Sequence, residues 1–163
     1  MAAADLTAAR LRELLHYDSE TGLFTWLSGV HRRPEAGAQT KSGHVAINIS
    51  GNSFFAHRLA FLYMTGEWPK NHVDHINGRP ADNRWMNLRD VTRSVNMQNQ
   101  RRAQRSNKSS GLLGVSWHAQ RNCWLAYISV DGRQRSLGLY KTAELAHAAY
   151  VEAKRALHEG CTI

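Results

Sequence analysis

The sequence predicts an α+β protein made of two small modules. Three observations carry this. Short strands and helices interleave along the 163 residues, the apolar pattern changes texture near residue 110, and a polar stretch, Gln104–Ser110, separates the two parts. The first module, residues 1–105, reads as an N-terminal α/β extension followed by a strand–loop–strand–helix core at about 71–103. Residues 106–110 read as a basic linker, and residues 111–163 as a three-stranded antiparallel sheet packed on one helix.

Asp5-Leu6-Thr7 can cap a helix that runs to about Tyr17, with Leu11, Leu14 and Leu15 on one face. Asp18 to Gly22 reads as a turn, Leu23 to Leu27 as a short strand, and Ser28 to Ser42 as a loop. His44 to Ile49 alternates, with Val45, Ile47 and Ile49 on one face, and Ser50-Gly51-Asn52 turns it back into Ser53 to Ala56. His57 to Thr65 reads as a helix ended by Gly66. Val73 to Ile76 and Asn87 to Val91 read as short strands around a loop with Gly78 and Pro80. Thr92 then caps a helix expected to reach about Ala103. In the second module the strands are Leu113–His118, Cys123–Val130 and Arg133–Leu139. The helix is Thr142–His158, with Ala146, Ala149, Tyr150, Ala153 and Leu157 on one face.

Composition narrows the function classes. Lys and Arg number 21 against 13 Asp and Glu, so the formal net charge is +8. Residues 71–110 hold +5 of that excess, and seven of their eight cations are Arg, whose planar fork suits phosphate. A solvated basic surface is the plain reading; a phosphate-backbone footprint is the sharper one. The length excludes a large α/β barrel. No apolar run approaches the ~20 residues of a membrane span, so no membrane partner is expected. The start lacks the continuous apolar stretch of a secretory signal. Two cysteines, Cys123 and Cys161, provide no disulfide framework and no four-cysteine zinc site.

The segment that carries chemistry is Val73-Asp74-His75-Ile76-Asn77-Gly78, followed by Asp82-Asn83, Asn87-Leu88 and Asn96-Met97-Gln98-Asn99. A hairpin folded against the following helix can bring Asp74 and Asn96 to one oxygen-rich point. One carboxylate and one amide oxygen leave room for water and phosphate oxygens, which suits a single Mg²⁺ or Mn²⁺. His75, with a side chain that ordinarily titrates near neutrality, can take a proton from water.

These residues resemble the HNH nucleases, the ββα-metal endonucleases, and within them the phage- and intron-associated group whose third signature residue is Asn. The pattern appears as Asp74-His75, Asn87-Leu88 and Thr92-Arg93-Ser94-Val95-Asn96, with spacings of 12 and 9 residues. The lead-in His57-Arg58-Leu59-Ala60, then Glu67-Trp68-Pro69, is also similar to this group. The resemblance implies His75 as general base, Asp74 and Asn96 as ligands of one divalent cation at the scissile phosphate, and Asn87 as the residue that holds the hairpin and orients His75. It also implies a 5′-phosphate and a 3′-hydroxyl as products, and double-stranded DNA as partner. His57 and His72 are accessory candidates, structural or facing DNA. Zinc through His57, His72 and His75 is disfavoured, because the cysteines lie far off in sequence, and no structural zinc is expected.

The second module, through Gly114-Val115, Trp124 to Ile128, Leu137 to Glu144 and Ala146 to Tyr150, resembles the plant ethylene-response-factor (ERF) type of DNA-binding domain. Alternation places Trp124, Ala126, Ile128 and Val130 toward the helix, and Leu125, Tyr127 and Ser129 outward. Ser116, His118, Gln134 and Ser136 join the outward set, which the resemblance makes the DNA-reading face. Arg121, Arg133 and Arg135 supply phosphate contacts nearby; strict alternation puts Arg135 on the side of Leu137. In the first module and linker, Arg84, Arg93, Arg101, Arg102, Arg105 and Lys108 are expected to meet the DNA backbone.

The expectation is therefore a divalent-metal-dependent DNA endonuclease, nicking or homing-like, with a C-terminal targeting domain. It is expected to be a monomer or weak dimer in the cytoplasm of a bacterial host, if phage-encoded as the resemblance suggests. The alternatives are a non-catalytic DNA-binding regulator on a degenerate HNH scaffold, an RNA-directed protein, and, for the second module, a protein-interaction module.

Overall fold

The computed structural model describes residues 6–28, 33–103, 107 and 109–163. They form two compact units, residues 1–93 and 94–163, dividing ahead of the boundary at 105 expected from the sequence. Asp5, Arg105 and Lys108 lie outside the described residues. The architecture is α+β in both units.

In the first unit, helix α1 (Ala8–Leu14) is capped by Thr7, whose side chain accepts from the Arg10 N–H. The helix stops three residues short of the expected Tyr17. Leu15–Tyr17 is instead strand β1, pairing antiparallel with β2 (Phe24–Trp26), Leu15 opposite Trp26 and Tyr17 opposite Phe24. Alternation inside this pairing buries Leu15 and Tyr17 and exposes His16, which a helix cannot do. The stretch expected as loop, residues 28–42, contains the two-residue strand β3 (Ala38–Gln39). It edges a meander with β4 (Val45–Ile49) and β5 (Asn52–Phe55).

Helix α2 (Ala56–Thr65) lays Leu59, Ala60 and Leu62 into the core, all at 2% exposure or less. Burying each such Leu contributes roughly 1.5–3 kcal/mol. Gly66 at φ 84 ends the helix, its N–H bonding the Leu62 carbonyl. Then come β6 (His72–His75) and β7 (Leu88–Val91), an antiparallel pair with Asp74 opposite Arg89 and His75 opposite Leu88.

The N-terminal extension and this hairpin share one core. Leu11, Leu15, Phe24, Ile47, Leu59 and Leu88 belong to a single buried cluster. Polar contacts join them too: the Tyr17 hydroxyl donates to the Asn83 carbonyl at 2.6 Å, and the Trp85 N–H donates to the Ser19 carbonyl at 2.9 Å. Gly22, at φ 76, lies so close that a Cβ there would stand 2.4 Å from Asn83 C and Arg84 N.

The second unit begins within helix α3 (Arg93–Gln98), six residues long. The helix does not reach the expected Ala103. The Asn99 and Gln100 N–H groups bond Asn96 and Met97 carbonyls, a tightened final turn. The C-terminal tail and helix α4 claim the groups beyond: Gly160 N–H donates to Gln98 Oε1 at 2.9 Å, Thr162 meets the Asn99 side chain, and the Lys154 ammonium takes the Gln100 carbonyl.

Strands β8 (Val115–His118), β9 (Cys123–Val130) and β10 (Arg133–Tyr140) form an antiparallel sheet in the order β10-β9-β8. Asp131 and Gly132, at φ 51 and 73, make the tight turn between the last two. Helix α4 (Ala143–Leu157) follows, with Thr142 as its cap. Its buried stripe is Ala143, Ala146, Tyr150 and Lys154, whereas Leu157, expected inside, is 43% exposed. Lys154 takes the inner position at 1% exposure because its charge finds the Gln100 carbonyl, and its methylene stem fills the apolar space.

Candidate active site

The hairpin β6–β7 carries Asp74 and His75 on successive residues, so they leave the ribbon on opposite faces. Both are 6% exposed. Asp74 Oδ2 accepts from Arg89 Nε at 2.9 Å and from Nη2 at 2.7 Å, a pairing set by the cross-strand register. Arg89 entered the sequence reading only as part of the local charge. Its signal lay in strand register, which depends on knowing which residues pair.

The ring of His75 is held by Asn83, 3% exposed, with His75 Nε2 3.2 Å from Asn83 Oδ1. Asn83 Nδ2 donates to the Ala81 carbonyl, so Oδ1 is the atom facing the ring. His75 Nε2 therefore carries the proton and donates, which puts the basic lone pair on Nδ1. Burial pushes the His75 imidazolium below the ordinary histidine range, with the Asn83 bond opposing in part.

Asn87, 5% exposed, spends its side chain on the loop. Its Oδ1 accepts from the Asn77 N–H at 2.9 Å, and its Nδ2 donates to the Asp82 carbonyl at 2.7 Å. It holds the hairpin, while the group bonded to the His75 ring is Asn83. Asp82 completes the loop: it accepts from Arg84 Nε and Nη2 at 2.8 and 2.6 Å and from Asn77 Nδ2 at 2.7 Å. The Arg84 bonds first, then that of Asn77, hold its carboxyl down at about 2.

Two further imidazoles face His75. His57, the second residue of α2, is 7% exposed, and its ring centroid lies 5.1 Å from that of His75. Desolvation first, then the repulsion that a charged ring would meet from His75, His44 and Arg58, hold its imidazolium down to about 3. His44, ahead of β4, lies 5.3 Å from His57 and 5.8 Å from His75 by centroid, and burial lowers its pKa as well. Sequence reading missed His44 as a site residue. It sits one residue outside an alternating strand, a position that carries no signal until β4 packs beside α2. His72, the other accessory candidate, is exposed on β6.

Among the remaining candidates, Asn96 lies half-buried on α3, in the second unit. Arg84 is half-exposed and paired with Asp82. Arg93 and Arg102 are exposed, and Arg101 Nη2 donates to the Thr162 carbonyl and hydroxyl. In the sheet, Ser116 pairs with Leu125, His118 with Cys123, Gln134 with Ser129 and Ser136 with Tyr127, so these eight residues share one face. Ser129, Gln134 and Ser136 are exposed on it. Arg133 and Arg135 stand opposite Val130 and Ile128 on the other face, and Arg121 is exposed in the turn between β8 and β9. A bulge between Ser136 and Gly138 resets the alternation at Leu137.

Residues 54–98, the stretch that includes Asp74-His75 and Asn83, match the HNH endonuclease family model. The chain belongs to the HNH endonuclease family. It is 32% identical over 94 residues to Protein 3.8 of Escherichia phage T7, covering 57% of this chain and 75% of that protein. It is also similar to the structure described as DNA binding and cleavage by the HNH homing endonuclease I-HmuI. That similarity is 20% in sequence and 0.45 in TM-score, over 90% of this chain and 88% of the other. No helix among the described residues is long and apolar enough to cross a membrane.

Proposed function

We propose that the protein is a divalent-metal-dependent DNA endonuclease that hydrolyses a phosphodiester to a 5′-phosphate and a 3′-hydroxyl. The observation that carries this reading is the buried His75, whose Nε2–H is tied to Asn83 and whose lone pair therefore lies on Nδ1. A base fixed in tautomer and orientation can take a proton from a water aligned on the phosphorus. Asn87 and Asp82 keep the loop that carries Asn83 closed.

Asp74 and Asn96 are the proposed ligands of one Mg²⁺ or Mn²⁺. An oxygen-only donor set fits such a hard cation, which here would share the Asp74 carboxylate with Arg89. When bound, the ion supplies charge stabilisation at the scissile phosphate and leaving oxygen. The second unit is proposed as an ERF-like DNA-targeting domain. Its reading face is Ser116, His118, Tyr127, Ser129, Gln134 and Ser136, with Arg121, Arg133 and Arg135 nearby for phosphate. Arg84, Arg93, Arg101, Arg102, Arg105 and Lys108 are proposed as backbone contacts. One site per chain makes a nick the expected event of a monomer, in the cytoplasm of a bacterial host.

The Asp74–Arg89 pair favours a second reading, a DNA-binding regulator whose carboxylate serves the fold instead of an ion. Supercoiled plasmid separates the two. The wild type is expected to relax it with Mg²⁺ or Mn²⁺ and to stop with EDTA, and His75→Ala is expected to lose about 10²–10⁴-fold in rate. Binding without relaxation by the wild type establishes the second reading; equal cutting by His75→Ala removes His75 as the base.

A further inference from the structure

His44, His57 and His75 come from three separate elements of the first unit, and one ring nitrogen of each lies within 4.8 Å of the others. On two of the three, hydrogen bonds fix where the lone pair lies. On His75 it is Nδ1, as derived above. On His44 a hydroxyl relay decides it. Thr40 Oγ1 donates to the His44 carbonyl at 3.0 Å, so in its 2.9 Å contact with Ser42 the proton comes from Ser42 Oγ. Each hydroxyl has one proton, so Ser42 accepts from His44 Nδ1–H at 3.1 Å, which leaves the lone pair on Nε2. His57 is 7% exposed, and its buried Nδ1 has no hydrogen-bond partner. An unmet buried nitrogen costs about 1–3 kcal/mol.

We propose that His44, His57 and His75 form a site for one borderline divalent transition ion, Zn²⁺ in particular, and that this ion silences the nuclease by taking the lone pair of His75. The second half rests on His75 being the base; the first half does not. Three neutral imidazoles prefer Zn²⁺ or Co²⁺ and disfavour Mg²⁺, so this site is chemically distinct from the oxygen site proposed at Asp74 and Asn96. A Zn–N bond of about 2.0–2.1 Å sets ligand nitrogens about 3.4 Å apart. The rings therefore draw together by at most about 1.4 Å from their present 4.8 Å limit. Three protein ligands leave a fourth position for water. Asn83 and the Ser42–Thr40 relay are the outer partners that orient two of the three rings, as is usual for histidine ligands. His44 is half-buried and the other two are buried, so an ion enters past His44.

The test uses the full chain, without a polyhistidine tag and without DNA. Co²⁺ is titrated and followed by visible absorption, and Zn²⁺ then competes it off. One ion per chain is expected, with the intense bands of a four-coordinate ion. Ser42→Ala is expected to weaken Co²⁺ binding about 10-fold or more, and His44→Ala more still. His57→Asn serves as a third variant once circular dichroism shows that it folds. Wild-type affinity in His44→Ala, or a thiolate charge-transfer band reporting Cys123 or Cys161, overturns the site. In the plasmid assay with excess Mg²⁺, one equivalent of Zn²⁺ is expected to stop cutting, and persistent cutting by zinc-loaded protein overturns the silencing. A chain that binds Co²⁺ as described yet never cuts DNA refutes the proposed function and leaves the metal site standing.

Discussion

Asp74, His75, Asn83 and Asn87 are each 6% exposed or less and locked by bonds to Arg89, the loop and one another. Ser129, Gln134 and Ser136 stand exposed on the sheet of the second unit. The two regions solve different problems. Groups proposed to act on a reacting bond are fixed by burial and by partners that fix their protons. Groups on a face proposed to read a partner keep their bonding capacity for that partner. The first region should therefore respond to changes in its scaffold, the second to changes at the surface itself.

The largest effect is expected at Gly22, remote in sequence from His75. Gly22→Ala puts a Cβ against the Asn83 and Arg84 backbone at a φ of 76. It is expected to cost about 2–4 kcal/mol in urea unfolding and to reduce cutting in whatever fraction stays folded. A cost below about 1 kcal/mol breaks the claim that the extension and the loop share one tight joint. Lys154→Met in the second unit removes the buried partner of the Gln100 carbonyl. About 1–2 kcal/mol of destabilisation is expected, read by the same measurement, and a gain would show that the carbonyl needs no cation. Gln134→Ala should leave the melting temperature unchanged and weaken DNA affinity about 10-fold, or about 1.4 kcal/mol. Unchanged affinity on every duplex tried removes Gln134 from the reading face.

The smallest effect concerns Asp82. Its carboxyl is held at about 2, below the 3.8 of an unperturbed aspartate. The folded state then binds fewer protons than the unfolded chain between those values, so the contribution is full above pH 3.8 and lost as pH falls toward 2. Asp82→Asn is expected to lower stability by about 1 kcal/mol at neutral pH and to flatten that acid limb in melts recorded from pH 2 to 5.

Much of this was legible in the chain. The strand that carries Asp74-His75 is legible from residue type, and the strands β4 and β9 from alternation, with Ile47, Ile49, Ala126 and Ile128 buried as the pattern requires. Other features could not be read from local pattern. Leu15 to Tyr17 carry helical periodicity, but pairing with Phe24–Trp26 overrides it. Leu157 fits an apolar stripe, but Lys154 takes the inner place because a carbonyl distant in sequence awaits its charge.

The sequence alone determined the class of fold, the order of its elements and the Asp-His couple, because these rest on short-range periodicity and fixed spacing. Only the tertiary structure decided which groups flank that couple. Arg89 on Asp74, Asn83 on His75, and His44 and His57 beside the same ring follow from strand register and from the packing of α2 against β4 and β6. Register and packing are set by the whole buried core, whose contacts join residues 6 to 88, and no local stretch of chain contains that information.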